Sequence, residues 1–276
     1  MTDTEHTYTK PRPALMYNFY LRGKSWSGID AQAAIEVIRA APDAPAVAQA
    51  NLKFAGRAAA WAVAEFGLGQ VLDVGVGIVH DVPLDGVETC VRAVAPNATV
   101  LAYDNDPVVL THARAWAHYG GVLRGDITDL DSIFNHPDAV GLIDPSEPTL
   151  VVAAAVLHFV RDPAAVMAGL RERLAPGSVV VVSHATSTGT EQGAVDDMTE
   201  AYDTASSSIN FRPEEEIRAL ADGWAIVTPP GLVPVETWSV DGSRPYAPYE
   251  SVRVLGMAAV LPGGPAPHLG GDRAAL

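Results

Sequence analysis

The spacing of hydrophobic residues changes near residue 67. Before this point, apolar residues recur with a period of about 3.6 residues, which predicts amphipathic helices. One helix is predicted to begin at Asp30, an N-capping residue type, and to end before Pro42. A second is predicted from about Pro45 to Phe66, where Gly67 stops it. Residues 1–67 therefore predict an N-terminal helical segment.

After residue 67, short apolar runs alternate with helical stretches. The predicted strands are Gln70–Val74, Thr99–Tyr103, Gly121–Arg124, Thr149–Val156, Ser178–Ser183, Ala225–Val227 and Val252–Val260, and the predicted helices are 83–95, 107–119, 128–135, 163–174, 191–206 and 213–221. Alternating strands and helices predict a doubly wound α/β fold, with a mainly parallel seven-stranded sheet and helices on both faces. We assign residues 68–262 to this domain, residues 1–67 to a helical lid, and the Gly/Pro-rich residues 263–276 to a disordered tail.

Composition narrows the classes of function. The net charge of −15 repels phosphate backbones, so we expect no nucleic-acid partner. The single cysteine excludes an internal disulfide, and no cluster of metal-ligand residues stands out, so we expect no metal. No apolar run is long enough to span a membrane. These features predict a cytoplasmic protein, monomeric or homodimeric, that acts on a small molecule.

The first motif is a strand that runs directly into a Gly-x-Gly turn, from Val71 to Gly77. Glycines at Gly75 and Gly77 would allow the backbone to approach a ligand closely. In doubly wound sheets the turn after the first strand lies where ligands bind. Asp73 lies inside the apolar strand, and we expect the turn's backbone amides to be its partners.

The next two motifs place acidic residues after the second and third strands. Asp104 and Asn105 follow the second strand, where a carboxylate can accept hydrogen bonds from ribose hydroxyls, and Asp106 is suited to cap the helix that starts at Pro107. Asp126 and Ile127 follow the third strand, where they could bind an adenine amino group and cover the ring, or simply form a turn.

The class of ligand can be narrowed because the sequence lacks two features of nucleotide-binding sites. Dinucleotide sites carry a third glycine, but this chain has His80 at that position and has no Walker A lysine. A ligand with adenine and ribose but no phosphate fits better, and S-adenosylmethionine (SAM) is such a ligand.

With these motifs in place, the chain resembles class I SAM-dependent methyltransferases. More narrowly, from about Pro11 to Leu261 it resembles an actinobacterial family known as S-adenosyl methyltransferase, most of whose members lack a known substrate. The resemblance is carried by residues 16–24, 104–110, 155–160, 174–178, 183–186 and 230–234. It implies the Rossmann-like methyltransferase fold, SAM as cofactor, and Ala155 as part of the cofactor site.

The chain departs from the family pattern at two places. Ser25 and Trp26 stand where the family usually has Asp-Asn, and Ile78-Val79-His80 stands where it usually has Leu-Pro-Thr. The resemblance puts both places at the ligand pocket, so they indicate a different acceptor or a weakened enzyme.

Candidates for the acceptor side come from strand ends and from the N-terminal segment. His158 and His184 follow the fourth and fifth strands and could act as general bases, although we favour the interpretation of His158 as a pocket-floor residue whose carbonyl contacts SAM. Tyr17 lies in the segment that the resemblance folds over the pocket. Lys24 could bind an anionic acceptor or the SAM carboxylate.

Three functions therefore compete. The first is a small-molecule methyltransferase, with O-methylation of a secondary metabolite as the leading guess. The second is a SAM or S-adenosylhomocysteine (SAH) sensor or an inactive partner subunit, motivated by the departures at Ser25, Trp26 and His80. The third is a nucleotide-dependent oxidoreductase of the same architecture.

Overall fold

A computed structural model of the chain describes residues 9–116, 120–241 and 249–264. The predicted disordered tail lies outside the described residues from position 265 onward, as do the last three residues of the helix predicted at 107–119.

The described strands form one mixed sheet that is parallel over most of its width. In spatial order the strands run β3-β2-β1-β4-β5-β8-β6, with the short β7 also paired to β8. Only β8 and its pairings are antiparallel. The strands are β1 (Gln70–Val74), β2 (Thr99–Asp104), β3 (Gly121–Arg124), β4 (Leu150–Ala154), β5 (Val179–Thr186), β6 (Ala225–Ile226), β7 (Val233–Pro234) and β8 (Arg253–Val260). This arrangement confirms the predicted doubly wound α/β fold, with one additional two-residue strand.

Helices cover both faces of the sheet. They are α1 (Pro13–Tyr20), α2 (Gly28–Ala40), α3 (Ala44–Phe66), α4 (Val87–Val94), α5 (Pro107–Trp116), α6 (Asp131–Phe134), α7 (Pro163–Arg173), α8 (Gln192–Asp203) and α9 (Glu214–Ala219). Neighbouring strand residues point to opposite faces, so Val152 packs with α3 and α4 while Val151 packs with α7 and α9. Both residues are fully buried, which explains the continuous apolar runs of the central strands.

Several element boundaries differ from those predicted. The strand predicted at Thr149–Val156 ends at Ala154, because Ala155 adopts a left-handed backbone with φ of 58°. The strand predicted at Ser178–Ser183 continues to Thr186, because it pairs with β8 along its whole length.

From residue 9 onward the N-terminal segment contains three helices, and the connection between the first two is built around the buried carboxylate of Asp30. Asp30 does not precede α2, as predicted, but is the third residue of the helix, and Ser27 occupies the N-cap. The Asp30 carboxylate accepts hydrogen bonds from the Ser27 amide at 2.9 Å and the Arg12 amide at 2.9 Å. This joins the start of α1 to the start of α2, and α2 in turn packs against α8.

No helix in the described ranges, the 23-residue α3 included, has both the length and the apolar character needed to cross a bilayer.

Candidate functional site

A cavity of about 400 Å³ opens at the carboxyl ends of the parallel strands, beside the paired strands β1 and β4. The helices that follow these two strands, α4 and α7, lie on opposite faces of the sheet. This is the position at which doubly wound sheets bind ligands. The N-terminal helices α1 and α3, together with α8, cover it. Most of the predicted site residues line it: Tyr17, Asp73, Gly75, Gly77, Asp104, Asn105, Asp126, Ile127, Ala155 and His158. Lys24 and His184 do not.

The turn after β1 requires its glycines. Gly75 and Gly77 have φ values of 72° and 61°, a conformation that side chains disfavour. A Cβ on Gly75 would lie 2.4 Å from Cγ2 of Val156, so the turn also has no space for a side chain. The glycines thus bring bare backbone to the edge of the cavity.

The amides of this turn do not bind Asp73, and that expectation was wrong. The Gly75 amide donates to the Tyr103 carbonyl at 2.8 Å, and the Gly77 amide donates to Asp104 Oδ2 at 3.2 Å. The Asp104 Oδ1 atom accepts from the Asp106 amide at 2.9 Å. A carboxylate has about four lone-pair positions, so Asp104 keeps capacity for further donors. The Asp73 carboxylate makes no hydrogen bond to another described residue, and Asp73 lines the cavity.

Burial makes the side chains of Asp73 and Asp104 weaker acids than usual. Burial, and then the charge of Asp104, raises the pKa of Asp73 to about 7. Burial raises the pKa of Asp104 to about 6, although the amides of Asp106 and Gly77 partly oppose the shift. Two desolvated carboxylates facing one cavity are suited to a cationic ligand.

The residues after β2 and β3 form a connected rim. Asn105 Nδ2 donates to Asp126 Oδ2 at 3.0 Å, and the Thr128 amide donates to Asp126 Oδ1 at 2.9 Å. Burial works against ionisation of Asp126, but the bonds from Asn105 and Thr128 lower its pKa overall. Ile127 is 5% exposed and presents an apolar surface beside this carboxylate.

Asp106 plays the capping role expected of it. Its Oδ1 accepts from the Val108 amide at 2.8 Å at the start of α5. The same oxygen forms an ion pair with Arg12 at 2.6 Å, which fastens the N-terminal segment to the rim of the cavity.

Ala155 is a strained residue at the centre of the site. A non-glycine residue rarely adopts a φ of 58°, and Ala155 does so in the turn that follows β4. Its amide donates to Ser183 Oγ at 2.8 Å, which fixes the backbone just where β4 reaches the cavity.

His184 lies behind the cavity wall and is removed from the catalytic candidates. Arg212 Nη1 is 2.8 Å from His184 Nε2, and because arginine can only donate, Nε2 is the acceptor. The proton is therefore on Nδ1, which donates to the Ala185 carbonyl at 2.7 Å. Burial lowers the pKa of His184 to about 4. The residue connects the segment around Arg212 to β5.

His158 does line the cavity, but it is not arranged as a base. Its Nδ1 accepts from the Ala185 amide at 3.3 Å, so the neutral ring has its proton on Nε2. Burial, and then the charges of His184 and Arg212, holds its pKa well below the usual range. Its backbone carbonyl accepts from the amide and side chain of Asn210, at 2.8 and 3.0 Å. The carbonyl is therefore not free to contact a cofactor.

Tyr17 also lines the cavity, with its hydroxyl proton already engaged. The hydroxyl donates to the Ala48 carbonyl at 2.9 Å and accepts from Asn51 Nδ2 at 2.9 Å. Burial raises its pKa further above the usual range, so it supplies no base. Asn51 was not predicted as a site residue. The available signal was a polar residue on the apolar face of α3, three positions before Phe54.

Lys24 is exposed and belongs to a polar contact that we call the clasp, formed by Asn18, Lys24, Ser25 and Asp81. Asp81 Oδ2 accepts from the Lys24 amide and from Ser25 Oγ, both at 2.8 Å. Asn18 Nδ2 donates to Asp81 Oδ1 at 2.7 Å. The clasp joins α1 to the loop after β1.

The departures from the family pattern lie mostly outside the cavity, although Val79 lines it. Ser25, Trp26 and His80 are absent from the described cavity lining. Trp26 Nε1 donates to the Gly23 carbonyl at 2.9 Å, and its ring packs on Phe19. The sensor hypothesis rested on Ser25, Trp26 and His80, so the position of these residues outside the described lining removes its basis.

Residues 2–261 match a protein family described as S-adenosyl methyltransferase. A candidate methyltransferase from Thermobifida fusca is similar in structure, with 26% identity, a TM-score of 0.83, and coverage of 93% of this chain and 97% of that one. A DUF574 family protein from Streptomyces avermitilis has 26% identity and a TM-score of 0.83 over 92% of this chain and 99% of that one. Among curated proteins the sequence has no significant match.

Proposed function

Because the chain belongs to the S-adenosyl methyltransferase family, we propose that it transfers a methyl group from SAM to an oxygen of a small-molecule acceptor. The observation that carries this proposal is the pair Asp73 and Asp104, two buried carboxylates on one cavity at the ends of β1 and β2. SAM is a cation of the kind that such a pair attracts.

The proposed roles follow from the geometry of the rim. Asp104 accepts from the ribose hydroxyls with the lone pairs that Gly77 and Asp106 leave free. Asp126 and Ile127 bind the edge and the face of the adenine, beside Asn105. Gly75, Gly77 and Ala155 let bare backbone reach the cofactor. Asp73 faces its positive charge.

The sulfonium of bound SAM supplies an activated methyl group, so the protein's task is to position the acceptor and exclude water. The side chains around the proposed acceptor position support the view that the protein mainly positions the acceptor. His158 and Tyr17 are not arranged to remove a proton, so we assign them to positioning. The proton that the acceptor hydroxyl loses would pass to the Asp73 carboxylate on the same cavity, as the positive charge of the cofactor is lost. Residues 1–67 act in this proposal as a lid over the domain of residues 68–262.

The acceptor is a small molecule in this proposal, not a nucleic acid. The described lining of the cavity contains no lysine or arginine to bind phosphates. The net charge of −15 opposes the approach of a polyanion.

Titration calorimetry of the purified protein with SAM, SAH and NAD tests the proposal. We expect micromolar binding of SAM and SAH, no binding of NAD, and binding weakened roughly tenfold or more in Asp104→Asn, because a charged hydrogen-bond acceptor is lost. The matched control is Asp203→Asn, which changes an exposed carboxylate at the end of α8. A folded protein that binds neither SAM nor SAH, or that binds NAD instead, contradicts the proposal.

A further inference from the structure

The cavity divides into a charged part and an uncharged part. Its four lining carboxylates lie near the carboxyl ends of β1, β2 and β3, either within the strand or just after it. The opposite part, which we call the acceptor compartment, has no charged side chain among its described residues. It is formed by Tyr17, Tyr20, Asn51, His158, Phe159 and Tyr202 together with the aliphatic side chains packed around them.

The acceptor compartment disfavours a charged ligand and favours an aromatic one. Burial raises the pKa of Tyr17, Tyr20 and Tyr202, and the same desolvation disfavours a charged ligand there. Phe159 and Tyr202 have ring centroids 5.7 Å apart, and the His158 ring packs edge-on against Phe159 at 4.4 Å. Aromatic walls of this kind pack well against an aromatic ligand.

Asn51 presents a buried acceptor atom whose identity is fixed by its neighbours. The Tyr17 hydroxyl gives its only proton to the Ala48 carbonyl, so it must accept from Asn51. The amide nitrogen of Asn51 therefore faces Tyr17, and Oδ1 is on the other side. This oxygen is buried and has no partner within the described chain. Buried polar atoms are normally paired, so Oδ1 calls for a donor from a ligand.

His158 presents a donor whose identity is fixed in the same way. Arg212 makes Nε2 of His184 an acceptor, which leaves its other nitrogen to bind the Ala185 carbonyl. The amide of Ala185 then donates to His158 Nδ1. His158 is left with an Nε2–H group that makes no hydrogen bond within the described residues, so it is a donor available to a ligand.

We propose that the methyl acceptor is an uncharged aromatic molecule with both a hydroxyl group and a carbonyl group, the hydroxyl donating to Asn51 Oδ1 and the carbonyl accepting from His158 Nε2. This inference rests on the proposed function, since it names the substrate class of the same site. Asn51 and His158 are positioning residues, and Tyr17 and His184 act through them.

The test is a calorimetric titration of SAH-saturated protein with three matched ligands. Para-hydroxyacetophenone carries both groups, para-methoxyacetophenone lacks the donor, and para-hydroxybenzoate replaces the ketone with a charged carboxylate. We expect the first to bind at least tenfold more tightly than either of the others. This comparison in the wild-type protein needs no variant.

Variants then assign the contacts. In Asn51→Leu the preference for the hydroxyl over the methoxy ligand should disappear, because the hydroxyl then has no Oδ1 atom to donate to. In Tyr17→Phe that preference should weaken, because the hydroxyl that holds the Asn51 amide in place is lost, and in the exposed-site control Asp203→Asn it should persist. In His158→Phe both ketones should lose affinity. The SAH titration of each variant reports whether its fold and cofactor site are intact.

Three results would overturn the substrate class: binding of the benzoate as tight as that of the ketone, no binding of any of the three, or an unchanged hydroxyl preference in Asn51→Leu. If SAH binds normally in those experiments, the proposed methyltransferase function stands. If neither SAM nor SAH binds, the proposed function itself fails, and the substrate class fails with it.

Discussion

At the residue scale, the site contains carboxylates that are buried and that keep capacity for further hydrogen bonds. Asp73 and Asp104 are each 7% exposed and share one cavity, and the Asp73 carboxylate makes no hydrogen bond to another described residue. A bound cation would stabilise the ionised form of both. The free protein and the loaded protein should therefore respond differently to pH.

The affinity for SAM should rise as the pH increases from about 5 to 8. The pKa values of about 6 for Asp104 and about 7 for Asp73 mean that both lose protons in this window, and the ligand's positive charge favours that loss. Calorimetry in buffers of different ionisation enthalpy measures the released protons. Asp73→Asn should remove the upper part of the profile, whereas a flat wild-type profile would contradict the interpretation.

Asp73→Asn should stabilise the ligand-free protein at pH 8. The folded state raises the pKa of Asp73, so it binds the proton more tightly than the unfolded chain does. The stability that this proton contributes is complete below about pH 4 and is lost as the pH rises through about 7. We expect the variant to gain on the order of 2 kcal/mol in the free energy of unfolding at pH 8 and nothing at pH 4.

Urea unfolding at the two pH values measures this difference. Asp203→Asn, at an exposed position, should change neither value. Equal stability of Asp73→Asn and wild type at pH 8 would show that the ionised Asp73 carboxylate does not destabilise the ligand-free protein.

Sequence motifs predict the residues on the rim better than those in the acceptor compartment. Gly75, Gly77 and Asp104 follow strand ends at fixed spacing, so a local pattern was sufficient to find them. His184 could not be judged locally, because its partner Arg212 is 28 positions away. Asn51 and Tyr17, separated by 34 positions, meet only after α1 and α3 pack.

Helices and strands were also predicted best where a local sequence pattern defines them, and worst where they depend on contacts with distant residues. The strands Gln70–Val74 and Gly121–Arg124 were predicted to the residue, because buried parallel strands read as short apolar runs. β7 was missed, because two residues carry no period and its existence depends on pairing with β8. The helix at Pro13–Tyr20 was not separated from the rest of the N-terminal segment, since its bounds depend on contacts with the loop after β1.

The clasp shows how one small residue can control an element. Gly23 is buried against Asn18, whose Nδ2 also donates to the Ile78 carbonyl at 2.9 Å. A Cβ on Gly23 would lie 2.3 Å from that Nδ2 atom. The side chain of Asn18 would have to move, and the bonds that tie α1 to the loop after β1 would break.

Gly23→Ala should therefore destabilise the protein by about 2 kcal/mol and speed amide exchange in α1. The control is Gly28→Ala at the start of α2, where no atom lies within 4 Å of the added Cβ and φ is ordinary. Hydrogen exchange followed by mass spectrometry compares the two variants. Unchanged exchange in α1 of Gly23→Ala would mean that the clasp does not control this helix.

At the scale of the whole molecule, the cavity takes its walls from distant parts of the chain. Pro13 and Ala14 lie at one end of the sequence that lines it, and Val252 and Val254 lie at the other. A ligand that binds only the folded state stabilises everything whose unfolding would empty the site. The effect of SAH should extend well beyond the residues that contact it.

SAH should slow amide exchange in α1 and α8 as well as in the turn after β1. Both helices line the cavity, through Tyr17 and Met198 among others. The internal reference is α9, which contributes no residue to the lining and should change little. Protection confined to residues 70–78 would indicate that the cofactor part and the cover of the cavity are energetically independent.

The position of β8 has a consequence for how the protein is made. This strand pairs with β5, β6 and β7, and in the described sheet neither β6 nor β7 pairs with any other strand. A ribosome synthesises β6 and β7 first, so they must wait without partners until residues 253–260 have been translated, while one edge of β5 stays open. Domains generally fold as units during synthesis. Among the described strands, β8 is the last to be translated, so it completes the described sheet and adds its wall of the cavity in one event. Until then the nascent chain exposes an unpaired strand edge on which chaperones could act.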